Sequence, residues 1–332
     1  MKCVGLNVCG QGSEEDSVPF QTLLDSFIVM LALIGAAVWL RERSVILKSE
    51  QAVFPRLVTD FVLPALIFTN LSRDPLTREK LLVALVFFLS IAIVTAAAWV
   101  IGRRMRLEKP VLGSFVLVSG VGSSSTLGYS LVQYVYGNNA QIMSMVVVMG
   151  ELGVVLPLFT VGVAIASYFG SDNDEGADIR SVFLTFVRSP IFLAFILGIL
   201  VSLTGFPESH KAVVLFNIVL EIISDSLKLL VAFTIGLMLR PIAIRQMAKL
   251  IVLVGVLKLV LEPVVAGTIA MALGLPEIER SLLIIEAAMP SGALAAVIAA
   301  RYGCDGAVAS TLLIGTFVLS LVAIPVVGYL II

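Results

Sequence analysis

The chain has 332 residues, of which 59% are hydrophobic and only 14% charged, and its mean hydropathy is +1.08. Soluble domains usually contain about 45–50% apolar and about 25% charged residues, so the composition excludes an ordinary soluble protein and predicts a polytopic membrane protein. The net charge of −1 gives no basis for a nucleic-acid partner. Three scattered cysteines and one histidine, His210, offer no disulfide framework, transition-metal cluster or catalytic motif, so we predict neither an enzyme nor a cofactor.

The chain begins with a polar segment, and ten apolar segments follow it. Residues 1–19 lack the basic start and short apolar core of a signal peptide, and we expect them to form a disordered tail. A membrane-spanning helix needs roughly 20 apolar residues. The segments that qualify are approximately 20–40, 51–71, 80–101, 111–136, 141–169, 180–203, 212–239, 246–273, 279–302 and 306–331.

Repeated motifs divide these ten segments into two halves. The pairs Tyr136-Gly137 and Tyr302-Gly303 lie 166 positions apart, which is half of the chain. Five spans per half is an odd number, so the second half crosses the membrane in the opposite sense, as an inverted repeat does. The predicted units are a first repeat at 20–169, an acidic cytoplasmic loop at 170–179 and a second repeat at 180–332. Loops after the odd-numbered spans carry twice as many Lys and Arg residues as the other side, which predicts a cytoplasmic-membrane protein with both termini outside the cytoplasm.

Spans four and nine, which are equivalent in the two halves, are each interrupted. Span four contains a Gly- and Ser-rich run from Ser119 to Gly128, and span nine contains Glu286-Ala-Ala-Met-Pro-Ser-Gly292. Unpaired backbone groups at mid-depth survive only when they are buried in protein or line a wet cavity. The alternative is that Gly and Ser only permit close helix packing. Because both breaks occupy matched positions, we expect them to cross near the bilayer midplane and form a transport site.

The free N–H groups at such a break favour an anion, since they lie at the positive end of a helix dipole. In span nine, Pro290 interrupts the helix, and we expect a half-helix to begin near Ser291 with free N–H groups there. The predicted substrate-binding residues are Ser123, Ser124, Ser125, Thr126, Gly128, Pro290, Ser291 and Gly292.

Several charged residues lie within the apolar segments, where each needs a partner or a function. Glu286 lies one helical turn before Pro290 and is the best candidate for a cation ligand or proton acceptor; the alternative is a carboxyl capped by local hydroxyls. Lys258 and Glu262 are spaced i, i+4, which favours an ion pair with either a structural or a gating role. Asp225 and Lys228 are predicted to pair in the same way.

Short stretches in a characteristic order resemble the auxin efflux carrier family, which includes bacterial organic-acid carriers and the plant PIN-FORMED carriers. The resemblance covers nearly the whole membrane region. The matching stretches are Phe61–Phe68, Gly128 through Tyr136-Gly137, Phe233–Leu239, Lys258 with Pro263, Met289-Pro-Ser291 through Arg301-Tyr-Gly303, Ala309-Ser310 and Leu319-Ser320. The sequence departs from the family at Ser123, Ser130 and Leu294, where the family usually has Asn, Pro and Asn respectively.

The resemblance implies an all-α membrane protein with ten transmembrane helices in a five-plus-five inverted repeat and with crossed, broken helices four and nine. It implies a scaffold of helices one, two, six and seven, often dimeric, and a transport unit of helices three to five and eight to ten that moves as an elevator. The spacing Glu286-x-x-Met289 is similar to the sodium-binding segment of the more distant bile-acid sodium symporters. The predicted ion-coupling residues are Glu286, Met289, Ser124 and Glu151, with a candidate sodium ion or proton at Glu286.

We therefore expect a secondary active transporter for a small organic anion, such as a mono- or dicarboxylate or an auxin-like acid, embedded among membrane lipids and homodimeric. Two alternatives stay open. A cation/proton exchanger of the same fold would titrate Glu286 or Glu151 without an organic substrate. A membrane sensor would bind a ligand without moving it, and the replacement of the family's usual Asn residues at Ser123 and Leu294 favours this interpretation slightly.

Overall fold

A computed structural model describes residues 18–73, 77–122, 128, 131–132, 136, 139–171, 188, 190–204, 211–239 and 247–331. Almost all of these residues are helical. The α-helices are α1 (Val18–Glu42), α2 (Val53–Leu57), α3 (Leu63–Arg73), α4 (Arg78–Arg104), α5 (Lys109–Gly120), α6 (Ala140–Val148), α7 (Val163–Gly170), α8 (Pro190–Thr204), α9 (Lys211–Asp225), α10 (Leu227–Met238), α11 (Ala248–Val256), α12 (Glu262–Ala272), α13 (Glu277–Ala287), α14 (Ala293–Arg301) and α15 (Gly306–Ile331).

In the described part of the chain, four short π-helical segments with defined bounds lie between α-helices. They are π1 (Val58–Val62), π2 (Met149–Val155), π3 (Leu158–Gly162) and π4 (Leu257–Leu261). A proline follows π1, π2 and π4 closely, at Pro64, Pro157 and Pro263. Proline has no N–H to donate and its ring clashes with the carbonyl one turn earlier, and a wider π turn is one way to relieve that clash.

Helix starts agree with local capping chemistry. The side chains of Thr77, Asn139 and Asp305 accept hydrogen bonds from N–H groups in the first turns of α4, α6 and α15. These bonds satisfy donors that have no partner inside the helix. The capping residues therefore set where three of the long apolar helices begin.

Five helices within the described ranges are long and apolar enough to cross a membrane, which makes the chain a multi-pass membrane protein. They are Val53–Ser72, Arg78–Arg104, Gln141–Gly170, Ala248–Ala272 and Gly306–Val327. Each of the ten predicted apolar segments contains described helix. The ten-span inverted repeat itself stays a prediction.

The helices pack in two groups. In one group, α1 packs against α10, and α3 packs against α8 and α9. In the other, α4 packs against α5, π2 and α12, while α15 packs against α5, α11 and α14. The division into a scaffold and a transport unit, and any motion between them, stay predictions. Most of the buried hydrophobic core, including Phe87 and Phe115, belongs to the second group.

Candidate functional site

The break in predicted span nine is an extended segment between two short helices. Helix α13 ends at Ala287, and α14 begins at Ala293 with Gly292 as its N-cap residue in an extended conformation. The sequence predicts that this helix begins near Ser291, and α14 begins two residues later, at Ala293. Pro290 lies inside the extended segment and explains the interruption, because it cannot donate a hydrogen bond to a continuing helix.

The break in predicted span four meets this segment directly. Helix α5 ends at Gly120, and Val121 is extended with φ −105° and ψ 122°. Gly122 forms an isolated antiparallel bridge with Ser291, and the Gly292 N–H donates a 2.7 Å hydrogen bond to the Val121 carbonyl. A Cβ atom at Gly292 would lie 2.5 Å from the Gly122 carbonyl oxygen, so only glycine permits this approach. We call Val121, Gly122, Ser291 and Gly292 the crossover.

The crossover corrects one part of the predicted anion site. The sequence assigns the N–H groups of Ser291 and Gly292 to a substrate, but the Gly292 N–H is bonded to Val121 and the Ser291 N–H donates to Thr316 Oγ1 at 3.4 Å. The reason is that two extended segments lying side by side pair their own backbone groups, as strands do. The Ser291 hydroxyl is different: it is fully buried, and among the described residues it has no hydrogen-bond partner. Among the described residues, no side chain caps the N-terminus of α14.

A buried ion pair lies beside the crossover. Lys258 in π4 and Glu262 at the start of α12 are fully buried, and Lys258 Nζ lies 2.5 Å from Glu262 Oε2. The same ammonium donates to the Ala287 carbonyl at 3.4 Å. A Cβ atom at Gly122 would lie 2.7 Å from Lys258 Nζ. The pair therefore connects the two broken helices, a position that the i, i+4 spacing alone does not predict.

Glu286 completes this charged group. Its side chain is fully buried near the end of α13, and its charge interacts with that of Lys258. A Cβ atom at Gly128 would lie 2.6 Å from the Glu286 carboxyl carbon, so the backbone of Gly128 packs directly on the carboxyl group. With all three groups ionised, Lys258, Glu262 and Glu286 carry two negative charges and one positive charge. One bound monovalent cation or one proton would neutralise this buried group, and neutralisation is strongly favoured away from water.

Other predicted residues lie elsewhere. Met289 is fully buried within the extended segment, next to Pro290. Glu151 lies in π2, where the Asn70 side-chain amide donates a 2.7 Å hydrogen bond to its Oε1. No contact among the described residues joins Glu151 to Glu286, so the structure does not bring these two predicted ion-coupling residues together. Ser123, Ser124, Ser125 and Thr126 lie outside the described residues.

Asp225 and Lys228 are both exposed, and the described part of the chain shows no ion pair between them. A turn at Ser226 separates α9 from α10, and its hydroxyl donates a 2.6 Å hydrogen bond to the Ile223 carbonyl. The predicted pairing and its gating role stay predictions.

Two features of the structure were not predicted from the sequence. Arg301 at the end of α14 lies 3.6 Å from Asp60 in π1 and joins the two packing groups. Three of the four π segments each carry an ionisable residue, namely Asp60, Glu151 and Lys258. π segments are frequent at functional sites. The available signal was an ionisable residue four to six positions before a proline within an apolar run.

Comparison with known proteins identifies the family. Residues 22–327 match the model of a family described as membrane transport protein. An uncharacterized transporter of Methanothermobacter thermautotrophicus is 25% identical over 302 residues, covering 90% of this chain and 94% of the relative. An uncharacterized transporter of Methanocaldococcus jannaschii is 23% identical over 318 residues, covering 94% of this chain and 99% of the relative. These matches confirm the resemblance drawn from the sequence, and the chain belongs to the auxin efflux carrier-like membrane transport protein family.

Proposed function

We propose that this protein is a secondary active transporter that moves a small organic anion, such as a mono- or dicarboxylate, across the cytoplasmic membrane in exchange for, or together with, a cation. Family membership supports transport as the general function. The finer proposal depends mainly on one observation, the crossover of two broken helices beside a buried group with one carboxylate in excess. Such breaks near the centre of a membrane protein are where secondary transporters bind substrate and coupling ion.

The excess carboxylate supports cation coupling. Burying carboxylates is costly, so a site with two carboxylates and one ammonium group supports a state in which a sodium ion or a proton is also bound. Lys258 pairs with Glu262 at 2.5 Å, and the proposed cation would bind at Glu286, the second carboxylate of the group. The Gly128 backbone packs on that carboxyl group, so cation binding at Glu286 is coupled to the position of the second half of span four.

The anion would bind on the other side of the same crossover. The Ser291 hydroxyl is buried with no hydrogen-bond partner in the described residues, and the uncapped N-terminus of α14 begins two residues later. A carboxylate could accept hydrogen bonds from both, aided by the helix dipole. In this arrangement the cation compensates the protein's carboxylate and the dipole compensates the substrate's carboxylate, so the two ligands assist each other's binding.

The proposed transport cycle is an elevator. The two packing groups contact one another through polar links, Asp60 with Arg301 and Asn70 with Glu151, as well as through apolar packing. Substrate and cation would bind one state more tightly than the other and so bias which side of the membrane is exposed. Homodimerisation through the predicted scaffold, where α9 has an exposed apolar face, is part of the same proposal.

Transport in liposomes tests the proposal. The purified protein is reconstituted, a panel of labelled organic acids is offered, and sodium and pH gradients are imposed separately. We expect uptake of at least one acid to follow one gradient, and Glu286→Gln to remove that dependence because the amide cannot compensate a cation. The matched control is Glu277→Gln, an exposed carboxyl at the start of the same helix. Uptake that stays gradient-dependent in Glu286→Gln would contradict the coupling role.

A cation/proton exchanger is the second candidate, and Glu151 is the observation that favours it. Its Oε2 atom is buried without a hydrogen-bond partner in the described part of the chain, as a proton-carrying carboxyl would be. This candidate predicts sodium-driven proton movement in liposomes without any organic acid, and loss of that movement in Glu151→Gln. A protein that binds an organic acid but moves neither acid nor protons would instead be a sensor.

A further inference from the structure

An apolar groove runs along the outside of the predicted transport unit. Helix α4 forms one wall, π3 and α7 form the other, and α5 forms the floor. Its volume is about 530 Å³, within the range of about 300–1,000 Å³ that is typical of small-molecule sites. The lining is almost entirely apolar, and Trp99, Val161 and Tyr168 in it are exposed at the surface of the helices.

The dimensions of the groove fit one acyl chain. On α4 the lining extends from Phe88 to Trp99, and at 1.5 Å per residue this corresponds to about 16 Å. One leaflet of the hydrocarbon core is about 15 Å thick. A single chain lying along α4 would therefore reach from the membrane interface to the midplane. The groove is also lined by Val121, whose carbonyl accepts the crossover hydrogen bond from Gly292.

The outer end of the groove is aromatic and cationic. Trp99 and Tyr168 line it and are partly exposed, as residues at a membrane interface usually are. The Arg103 guanidinium lies 5.1 Å from the Trp99 ring centroid, and the Lys109 ammonium lies 5.7 Å from the Tyr168 ring centroid. In the stretch 103–109 there are four cationic side chains and one carboxylate, Glu108. The groove therefore combines an apolar channel with a mouth at which Arg103 and Lys109 lie close to aromatic rings.

We propose that this groove binds one acyl chain of an anionic phospholipid, with the headgroup phosphate held by Arg103 and Lys109. The charge at the mouth is what selects the occupant, because a zwitterionic lipid carries no net charge for these cations to neutralise. The bound lipid is thus a specific ligand of the transport unit. The proposal stands on the groove and the charges alone and does not depend on the substrate or on the coupling ion.

The tryptophan content makes the test direct. The chain has two tryptophans, and Trp99 lines the groove while Trp39 does not, although Arg43 lies 5.7 Å from the Trp39 ring centroid. In the Trp39→Phe variant, Trp99 is the only fluorophore of its type. The variant is reconstituted in phosphatidylcholine vesicles containing increasing fractions of phosphatidylglycerol brominated on its acyl chains, and Trp99 quenching is measured. The reverse mixture, brominated phosphatidylcholine in phosphatidylglycerol, gives the comparison.

We expect brominated phosphatidylglycerol to reach half-maximal quenching of Trp99 at a mole fraction at least threefold lower than brominated phosphatidylcholine. The preference should weaken with added salt. In the Trp99→Phe variant, which reports on Trp39 beside Arg43, the preference should be smaller because Trp39 does not line this groove. Equal quenching of Trp99 by both lipids would overturn the proposal.

Two sets of variants in the Trp39→Phe background separate the charge from the groove. Arg103→Gln with Lys109→Gln should abolish the preference, whereas Arg104→Gln, on the same helix end, should keep it. Ala96→Phe should fill the groove and abolish the preference, whereas Ile93→Phe, on the exposed side of α4 outside the groove, should not. Acyl-chain binding at this place would be refuted if the preference survives both Arg103→Gln/Lys109→Gln and Ala96→Phe. It would also be refuted if soluble glycerol phosphate at millimolar concentration removes the preference.

Discussion

Replacing Gly128 by alanine tests the contact between span four and the Glu286 carboxyl group. A Cβ atom at Gly128 would lie 2.6 Å from the carboxyl carbon, whereas carbon atoms in contact are about 3.5–4.0 Å apart. The carboxyl group would therefore have to move by about 1 Å. Gly128 does not have a positive φ, so alanine at this position adds no backbone strain.

The magnitude follows from the cost of overpacking. Forcing extra volume into a packed site costs about 1–3 kcal/mol. If the displaced carboxyl group is the cation ligand, this energy appears in the cation affinity, which should fall by about 5- to 150-fold. A shorter acid in the same place should withdraw from the new methyl group, so Gly128→Ala with Glu286→Asp should recover part of the loss.

The assay is the shift of the melting temperature with added sodium at fixed ionic strength, and with pH at fixed sodium, in detergent. A ligand that binds only the folded state raises its stability in proportion to the logarithm of its concentration over Kd. The control is Gly267→Ala, where a Cβ atom would lie 3.1 Å from the end of the flexible Ile284 side chain. A Gly128→Ala protein whose melting temperature responds to cations as the wild type does would refute the argument.

Three further predictions concern contacts outside the crossover. Because Arg301 and Asp60 are partly exposed, Arg301→Ala should lower the stability by less than about 1 kcal/mol. The same variant should change the turnover rate in liposomes, and the charge-swapped double variant should restore that rate. An unchanged rate in Arg301→Ala would remove this pair from the transport cycle. Asn70→Leu leaves the buried Glu151 carboxylate without its amide donor and should lower the unfolding free energy by about 1–3 kcal/mol, measured as an earlier thermal transition, unless Glu151→Leu is introduced with it. Burial raises the pKa of the Cys304 thiol to about 12, so the thiol should stay protonated at pH 7.5. In a variant that lacks the two tail cysteines, Cys304 should therefore react with maleimide far more slowly than an exposed cysteine does. Rapid labelling of the folded protein would contradict the burial of Cys304.

The sequence predicts the helical segments and the two breaks because both depend on local chemistry. Apolar runs of about 20 residues mark the spans, and Pro290 marks the interruption in span nine. Gly120 and Gly122 mark the end of α5, because glycine weakens a helix. These signals are contained in single segments, and no tertiary contact is needed to interpret them.

The partners of each residue depend on tertiary packing, which no single segment contains. Spacing predicts that Lys258 pairs with Glu262, but only the packing of π4 against α13 and α5 brings its ammonium to the Ala287 carbonyl and to Gly122. The assignment of the Gly292 N–H to a substrate failed because its actual acceptor, Val121, lies in the other half of the chain.

The crossover also has a consequence for folding during synthesis. Its hydrogen bond joins Val121 to Gly292, so the two partners emerge from the ribosome with most of the second half of the chain between them. Contacts of such long sequence separation form late, since the intervening chain must be ordered first. Until then the extended segment after α5 must keep its backbone groups satisfied by water or by other protein groups rather than by lipid. The first half of the chain is therefore in the membrane before the crossover can form. A truncated chain that ends before α14 should be prone to degradation.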